Sequence, residues 1–210
     1  MKLHARKETV DLARVGLQGG IYTGFTTLDV RALEDAVIRY GLAEALLDGV
    51  APTEEGLAVR DVFPDLDLRD QNGNAITKRE WRQPWSGAYN TEESEKQIYK
   101  TTRDSDNDKK VFIFYGARLT AVGNSSTSTR LNSSAIIWKR GNNVKVIDAW
   151  HLELMDAMQD PVVYARTPLM YKRGDHMRVD FYPKTGASGS ADTIILLGKT
   201  VEPLSLNVTG

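Results

Sequence analysis

Cysteine is absent from this 210-residue chain, and histidine occurs three times, as His4, His151 and His176. The first absence removes disulfides, thiolate nucleophiles and zinc sites built on cysteine. The second leaves little for metal chemistry. A cupin-type metal site needs two histidines two residues apart, a nearby glutamate and a third histidine. "AWHLELMD" offers His151 and Glu153 alone, on one face of a strand, and a solvated face accounts for them better. No run approaches the ~18 apolar residues of a spanning helix. The first twenty residues, "MKLHARKETVDLARVGLQGG", hold no apolar stretch of the ~7 residues that a secretory signal carries. The expectation is a chain made in the cytoplasm with no membrane span.

Neither sign of charge dominates. The net charge is −1, with 11 basic and 14 acidic residues in 1–90 and 16 and 14 in 91–210. That balance argues against a dedicated nucleic-acid or anionic-membrane surface, which needs a concentrated basic patch. No phosphate-cradling glycine loop and no G-x-S-x-G elbow are present, and the serine-rich "GNSSTSTRLNSS" has no histidine placed to activate it. "DSDNDKK" sets Asp104, Asp106 and Asp108 at alternating positions. As a calcium loop it would carry Lys109 where glycine belongs and Tyr115 where glutamate belongs. The composition therefore predicts no enzyme, no metal, no cofactor and no small-molecule substrate.

What remains is a foldable core. Hydrophobic residues make up 41% and charged residues 26%, ordinary values for a globular protein of one large domain. Residues 1–25 read as an arm, ending rich in glycine. "TTLDVRALEDAVIRYGLAEALLDG" reads as a helix over about 27–48. Thr26 or Thr27 can cap it, Val30, Leu33, Val37 and Tyr40 recur at helical spacing, Gly41 is a candidate kink and Gly49 closes it as a C′ glycine. Residues 51–75, punctuated by Pro52, Pro64 and Asn72-Gly73, read as loop. Residues 1–75 are thus an arm, a helix and a loop extension, and 76–210 a β-sandwich.

From about Gln97 the chain changes to short extended runs. "KKVFIFYGARLTAV" is apolar on both faces around Val111–Tyr115, hence a central strand, with Gly116 marking a bulge. "SSAIIWK", the turn "RGNN" and "VKVIDAWHLELM" make a hairpin. In its second arm Val144, Val146, Trp150, Leu152 and Leu154 share one face, and Lys145, His151 and Glu153 the other. "PVVYAR" and "PLMYK" read as two short strands. Met177, Val179 and Phe181 then alternate with His176, Arg178 and Asp180, and "ADTIILLGKTVEP" is a last, doubly buried strand. Eight or nine strands with turn signals every 8–12 residues, and no crossover helices between them, predict a mostly antiparallel sandwich.

Arg173-Gly174-Asp175 spells an adhesion tripeptide between two patterned strands. Glycine supplies positive φ and aspartate bonds the backbone two residues away, so the triplet reads as a turn leading into a strand. Trp81, Trp85 and Tyr89 spot an irregular connection. They are candidates for a subunit interface or for stacking against sugar rings, which makes a carbohydrate- or receptor-binding module the alternative function.

The succession "VFIFYGARLTAV", "SSAIIWKRGNNVKVIDAWHLELM", "PVVYARTPLMYKRGDHMRVDFYPK", "DTIILLGKTVEP" resembles the single-jelly-roll structural proteins of icosahedral viruses that infect bacteria and archaea, over roughly residues 97–203. Among these are capsomer subunits of tail-less, membrane-containing viruses and decoration proteins of some tailed phages. The resemblance implies a jelly-roll β-sandwich and a virion subunit, capsid or capsid-decorating. Such a subunit assembles with copies of itself and other virion proteins through sandwich faces, strand edges and an N-terminal arm. Lys2, Arg6, Lys7 and Arg14 of that arm are then available to pair with acidic neighbours.

Overall fold

The computed structural model describes residues 21–22, 27–63, 67, 81–82, 96–100, 109–121, 133–141, 145–152, 155, 162–173, 175, 177–183 and 193–206. It is mainly β. Ten strands and one long helix stand among the described residues: β1 (Ile21–Tyr22), α1 (Thr27–Leu47), β2 (Leu57–Asp61), β3 (Trp81–Arg82), β4 (Lys96–Lys100), β5 (Val111–Ala121), β6 (Ser133–Arg140), β7 (Lys145–His151), β8 (Val162–Tyr171), β9 (Met177–Pro183) and β10 (Thr193–Pro203). They form two sheets. One runs β1-β8-β5-β10-β2, with β3 also on β10, and the other runs β4-β9-β6-β7. Each pairing is antiparallel. The pairings nest: β2 with β10, β4 with β9, β5 with β8, and β6 with β7.

The sheets share one core, as in a β-sandwich. Phe112, Phe114, Val163, Tyr171 and Ile194 from the first sheet pack with Ile136, Trp138, Trp150, Met177 and Val179 from the second. Aromatic rings fill the centre, with Phe114 4.8 Å from Trp138 and Trp138 4.7 Å from Trp150, both tilted as ring quadrupoles favour. The Tyr171 hydroxyl donates to the Lys139 carbonyl at 3.0 Å, tying sheet to sheet.

The opposite face of the first sheet is covered by α1. Leu33, Val37 and Ala45 pack on Val111, Ile113, Tyr115 and Val201. This third layer explains why "VFIFY" is apolar on both sides: Phe112 and Phe114 face the sandwich core, Val111 and Ile113 the helix. The helical stripe differs from the spacing expected. Leu33, Val37, Gly41 and Ala45 lie on one i, i+4 ridge and are buried, whereas Tyr40 is 42% exposed. At Gly41 the helix continues without interruption, running from Thr27 to Leu47. Gly41 lies tight against the sheet: an added Cβ would collide with Ile113 Cδ1 and meet Val201 Cγ2 at 2.9 Å. The C-terminus closes as expected: Gly49 has φ +67, its N–H bonds Leu46 O, and the Val50 N–H bonds Ala45 O, the paired bonds of a Schellman motif.

Three strand readings change. Leu57–Asp61, within the stretch expected to be loop, is a strand paired with β10 residues 199–203. The sheet therefore draws on residues before 76. "PVVYAR" and "PLMYK" are one strand, β8, that swings away from β5: Phe114 pairs with Leu169 but Gly116 with Tyr164. The matching shift on β10, where Leu197 pairs with Gly116 and Gly198 with Phe114, puts a bulge at Tyr115–Gly116 as the glycine suggested. In β7 a further shift, with Trp138 opposite Asp148 and Lys139 opposite Val146, leaves Ile147 unpaired. That bulge reverses the alternation. Ile147 packs on the core, and Val146 is 52% exposed, away from the face shared by Trp150 and Leu152.

Candidate functional site

The side chains with the most chemical potential are charges held where water does not reach. Arg60 of β2 follows Ala58 along a strand whose next inward residue, Val62, lies in the sandwich core. It therefore points between the sheets. Glu202 of β10 and Lys110, one residue before β5, are buried with it, as is Asp67. Arg60 binds both carboxylates through two nitrogens each, Asp67 end-on and Glu202 side-on. Its Nη2 and Nη1 donate to Asp67 Oδ1 and Oδ2 at 2.6 and 2.8 Å. Its Nε and Nη2 donate to Glu202 Oε1 and Oε2 at 2.9 and 3.1 Å. Lys110 Nζ lies 3.2 Å from Asp67 and 3.4 Å from Glu202. The Phe63 N–H donates to Asp67 Oδ2 at 2.8 Å, and the guanidinium carbon lies 5.8 Å from the Phe63 ring centre.

Two cations and two anions thus cancel at one end of the sandwich. Burial works against the Arg60 charge, but the hydrogen bonds and fields of Asp67 and Glu202 outweigh it and raise its affinity for the proton. Each of the four carboxylate oxygens accepts a hydrogen bond from within the cluster. This cluster fastens the chain leaving β2 to the ends of β5 and β10.

A second cluster stands on the outward face of the other sheet. Asp180 alternates with Met177 and Val179 along β9 and faces away from them, yet it has no exposure. Lys139 Nζ and Arg178 Nε each reach it at 2.7 Å.

A third arrangement answers the adhesion question. The Asp175 N–H donates to Lys172 O at 3.0 Å and the Lys172 N–H donates to Asp175 Oδ2 at 3.0 Å, a turn closed from both sides. Asp175 also pairs with Arg140 at 3.2 Å. Arg173 Nη1 donates to the Gly49 carbonyl at 3.3 Å, and Lys172 Nζ pairs with Glu44 at 2.6 Å. The Glu44 hydrogen bond raises the Lys172 proton affinity. Helix α1 has no basic residue in its last turn. The turn supplies from outside the cations that its negative end lacks. Arginine and aspartate are both engaged within the fold.

The other candidates divide as follows. Lys2, Arg6, Lys7, Arg14, Trp85, Tyr89, Glu153, His176 and Asp104–Asp108 lie outside the described residues. Trp81 belongs to β3, with its backbone opposite Ile194. His151 is exposed at the end of β7. Among the described residues no group of three or more His, Asp or Glu could hold a metal ion, and no helix is long and apolar enough to cross a membrane. Arg60, Lys110 and Glu202 escaped the sequence reading because nothing local sets them apart: Arg60 precedes Asp61, Lys110 follows Lys109 in a charged run, and Glu202 ends an apolar strand before Pro203. The one available signal was Glu202, in register with Ile194 and Leu196 on the inward face. Neither models of known protein families nor curated proteins yield a match to this chain.

Proposed function

We propose that the chain is a single jelly roll and a virion structural subunit, a capsid or capsid-decorating protein of an icosahedral virus of bacteria or archaea. The observation that carries the reading is the nesting of strand pairs. A jelly roll is one long antiparallel ribbon of eight strands, first with eighth, second with seventh, third with sixth and fourth with fifth, rolled into two four-stranded sheets. With β2, β4, β5, β6, β7, β8, β9 and β10 as the eight, the nested pairs β2–β10, β4–β9, β5–β8 and β6–β7 follow that scheme. So do the two strand orders β2-β10-β5-β8 and β4-β9-β6-β7. β1 and β3 are then additions at the edges, and α1 an added outer layer.

The fold hosts many functions, and two features favour a building block. The charged clusters are closed on themselves. The border strands β2, β4 and β7, and β8 beyond the two residues under β1, offer main-chain edges suited to subunit contact. Assembly would proceed by symmetric repetition of modest contacts, with residues 1–25 as the arm. The test is electron microscopy of the concentrated full chain beside a chain lacking residues 1–25, both followed by size-exclusion chromatography. Rings or shells from the first and a folded, smaller species from the second are expected. A full chain that stays monomeric at every concentration refutes the reading.

A further inference from the structure

β1 is a two-residue strand, Ile21 opposite Ala165 and Tyr22 opposite Tyr164, laid on the outer edge of β8. It sits at the border of the break in the β5–β8 ladder: Tyr164 still pairs with Gly116, whereas Ala165 begins the stretch 165–168 that has no partner on β5. β8 runs ten residues, and among the described residues β1 is the only strand on that edge. Glycine brackets β1 in the sequence, with Gly19 and Gly20 before it and Gly24 after, the residues that best tolerate a change of chain direction. We infer that β1 is an exchangeable strand: in the assembled protein it pairs with β8 of a second copy of this chain, in the register it takes on its own.

The physics is that of domain swapping. Every main-chain bond between β1 and β8 is available without change to a neighbour's β1, so exchange costs no contact. Two paired residues hold β1 weakly in its own subunit, far below the length at which a strand pair is stable by itself. Release is cheap, and the high local concentration inside an oligomer tips the balance. Geometry restricts the partner. Five peptide units from Tyr22 to Thr27 reach at most ~17 Å. The partner's β8 edge must therefore lie beside the start of α1, so two subunits meet edge to edge along β8. The inference rests on the oligomer proposed above and specifies its contact.

The absence of cysteine makes the test clean. Directly opposed residues of an antiparallel pair lie about 4.5–5.5 Å apart, within the range a disulfide spans. Chains carrying Ile21→Cys alone and Ala165→Cys alone are mixed at assembling concentration, oxidised and run on a denaturing gel without reductant. The pair Tyr22→Cys and Tyr164→Cys is run in parallel, so that a substitution that unfolds the chain in one register leaves the other. Exchange predicts a band at twice the chain mass that needs both partners. It also predicts interchain ladders from a chain carrying both cysteines. If assemblies form but the double-cysteine chain closes only on itself and the mixture gives no band, exchange is refuted while the assembly reading stands. If no assembly forms at any concentration, both fall.

Discussion

At Gly41 the helix lies tight against the sheet, and its replacement by alanine sets two effects of similar size against each other. Alanine is the better helix former by ~1 kcal/mol. A Cβ at position 41, however, would overlap Ile113 Cδ1 and lie 2.9 Å from Val201 Cγ2. Overpacking of this kind costs about 1–3 kcal/mol, so Gly41→Ala is expected to destabilise by about 0–2 kcal/mol despite its propensity gain. Ile113→Val removes the colliding methyl and alone costs about 0.5–1.5 kcal/mol. In the double variant the new methyl occupies the space that Cδ1 vacates, because Ile113 Cγ1 stands at an ordinary 3.7 Å. The two changes should therefore compensate, the pair being about 1–2 kcal/mol more stable than the sum of its parts. Urea unfolding of the four chains measures this, provided the slopes agree. Additivity within ~0.4 kcal/mol would mean that α1 does not rest on Ile113, and the three-layer arrangement would be refuted.

Thr200 is fully buried and its hydroxyl has no partner among the described residues; Thr200→Val, of the same shape, should raise the urea midpoint by the equivalent of ~1 kcal/mol, and any loss would mean the hydroxyl is satisfied. Arg60→Met leaves Asp67 and Glu202 buried with Lys110 alone to offset them. A loss of about 3–5 kcal/mol is expected by thermal or urea melting, and a change below ~1 would contradict the closed cluster. Burial and the Glu34 carboxylate raise the Tyr115 phenol well above its ordinary value, and burial does the same for Tyr171. A folded-state pKa above the unfolded one stabilises fully below the ordinary phenol value near ~10 and progressively less above it. Stability should fall above pH ~10 by ~1.4 kcal/mol per pH unit for each tyrosine. Tyr115→Phe should remove one such increment from the slope of urea midpoint against pH between about 9.5 and 11, and an unchanged slope would refute the assignment.

The β-rich half was legible because strand periodicity survives where one face is buried and neighbouring strands agree: Met177 and Val179 inward, Trp150 and Leu152 inward, Gly141 turning the hairpin at φ +79. It failed where the backbone breaks its own period. Nothing in "VKVIDAW" announces that Ile147 is inserted and Val146 turned outward, since both are β-branched and apolar. Leu57–Asp61 was missed because five residues between a proline-marked loop and Pro64 become a strand only when β10 offers them a ladder. Tyr40 was misplaced because i, i+3 and i, i+4 spacings are equally helical, and only the flat sheet beneath selects the 33-37-41-45 ridge. Apart from Glu202, whose register with Ile194 and Leu196 places it inward, the buried charges could not be read locally. Each depends on a partner across a sheet strand or from a distant turn, such as Arg60 and Glu202, separated by 142 positions.

Where the buried charges lie bears on how copies of the chain could meet. The outer face of the β1-β8-β5-β10-β2 sheet is already covered over Val111, Ile113 and Val201 by α1, with Glu34 bonded to the Tyr115 hydroxyl at 2.6 Å and Glu44 to Lys172. The outward face of the other sheet carries Asp180 without exposure, gripped by two cations, and a carboxylate so placed is not part of a wetted surface. Uncovering either region would strand a charge or an apolar stripe. Contacts through the sheet faces at these points would therefore first have to undo interactions already made within one chain. Outside the two residues of β8 that β1 already pairs, strand edges carry no such cost, because their main-chain groups exchange water for a neighbour's strand. Under the proposed reading, the edges of β7 and β8 are thus better placed than the faces to carry assembly.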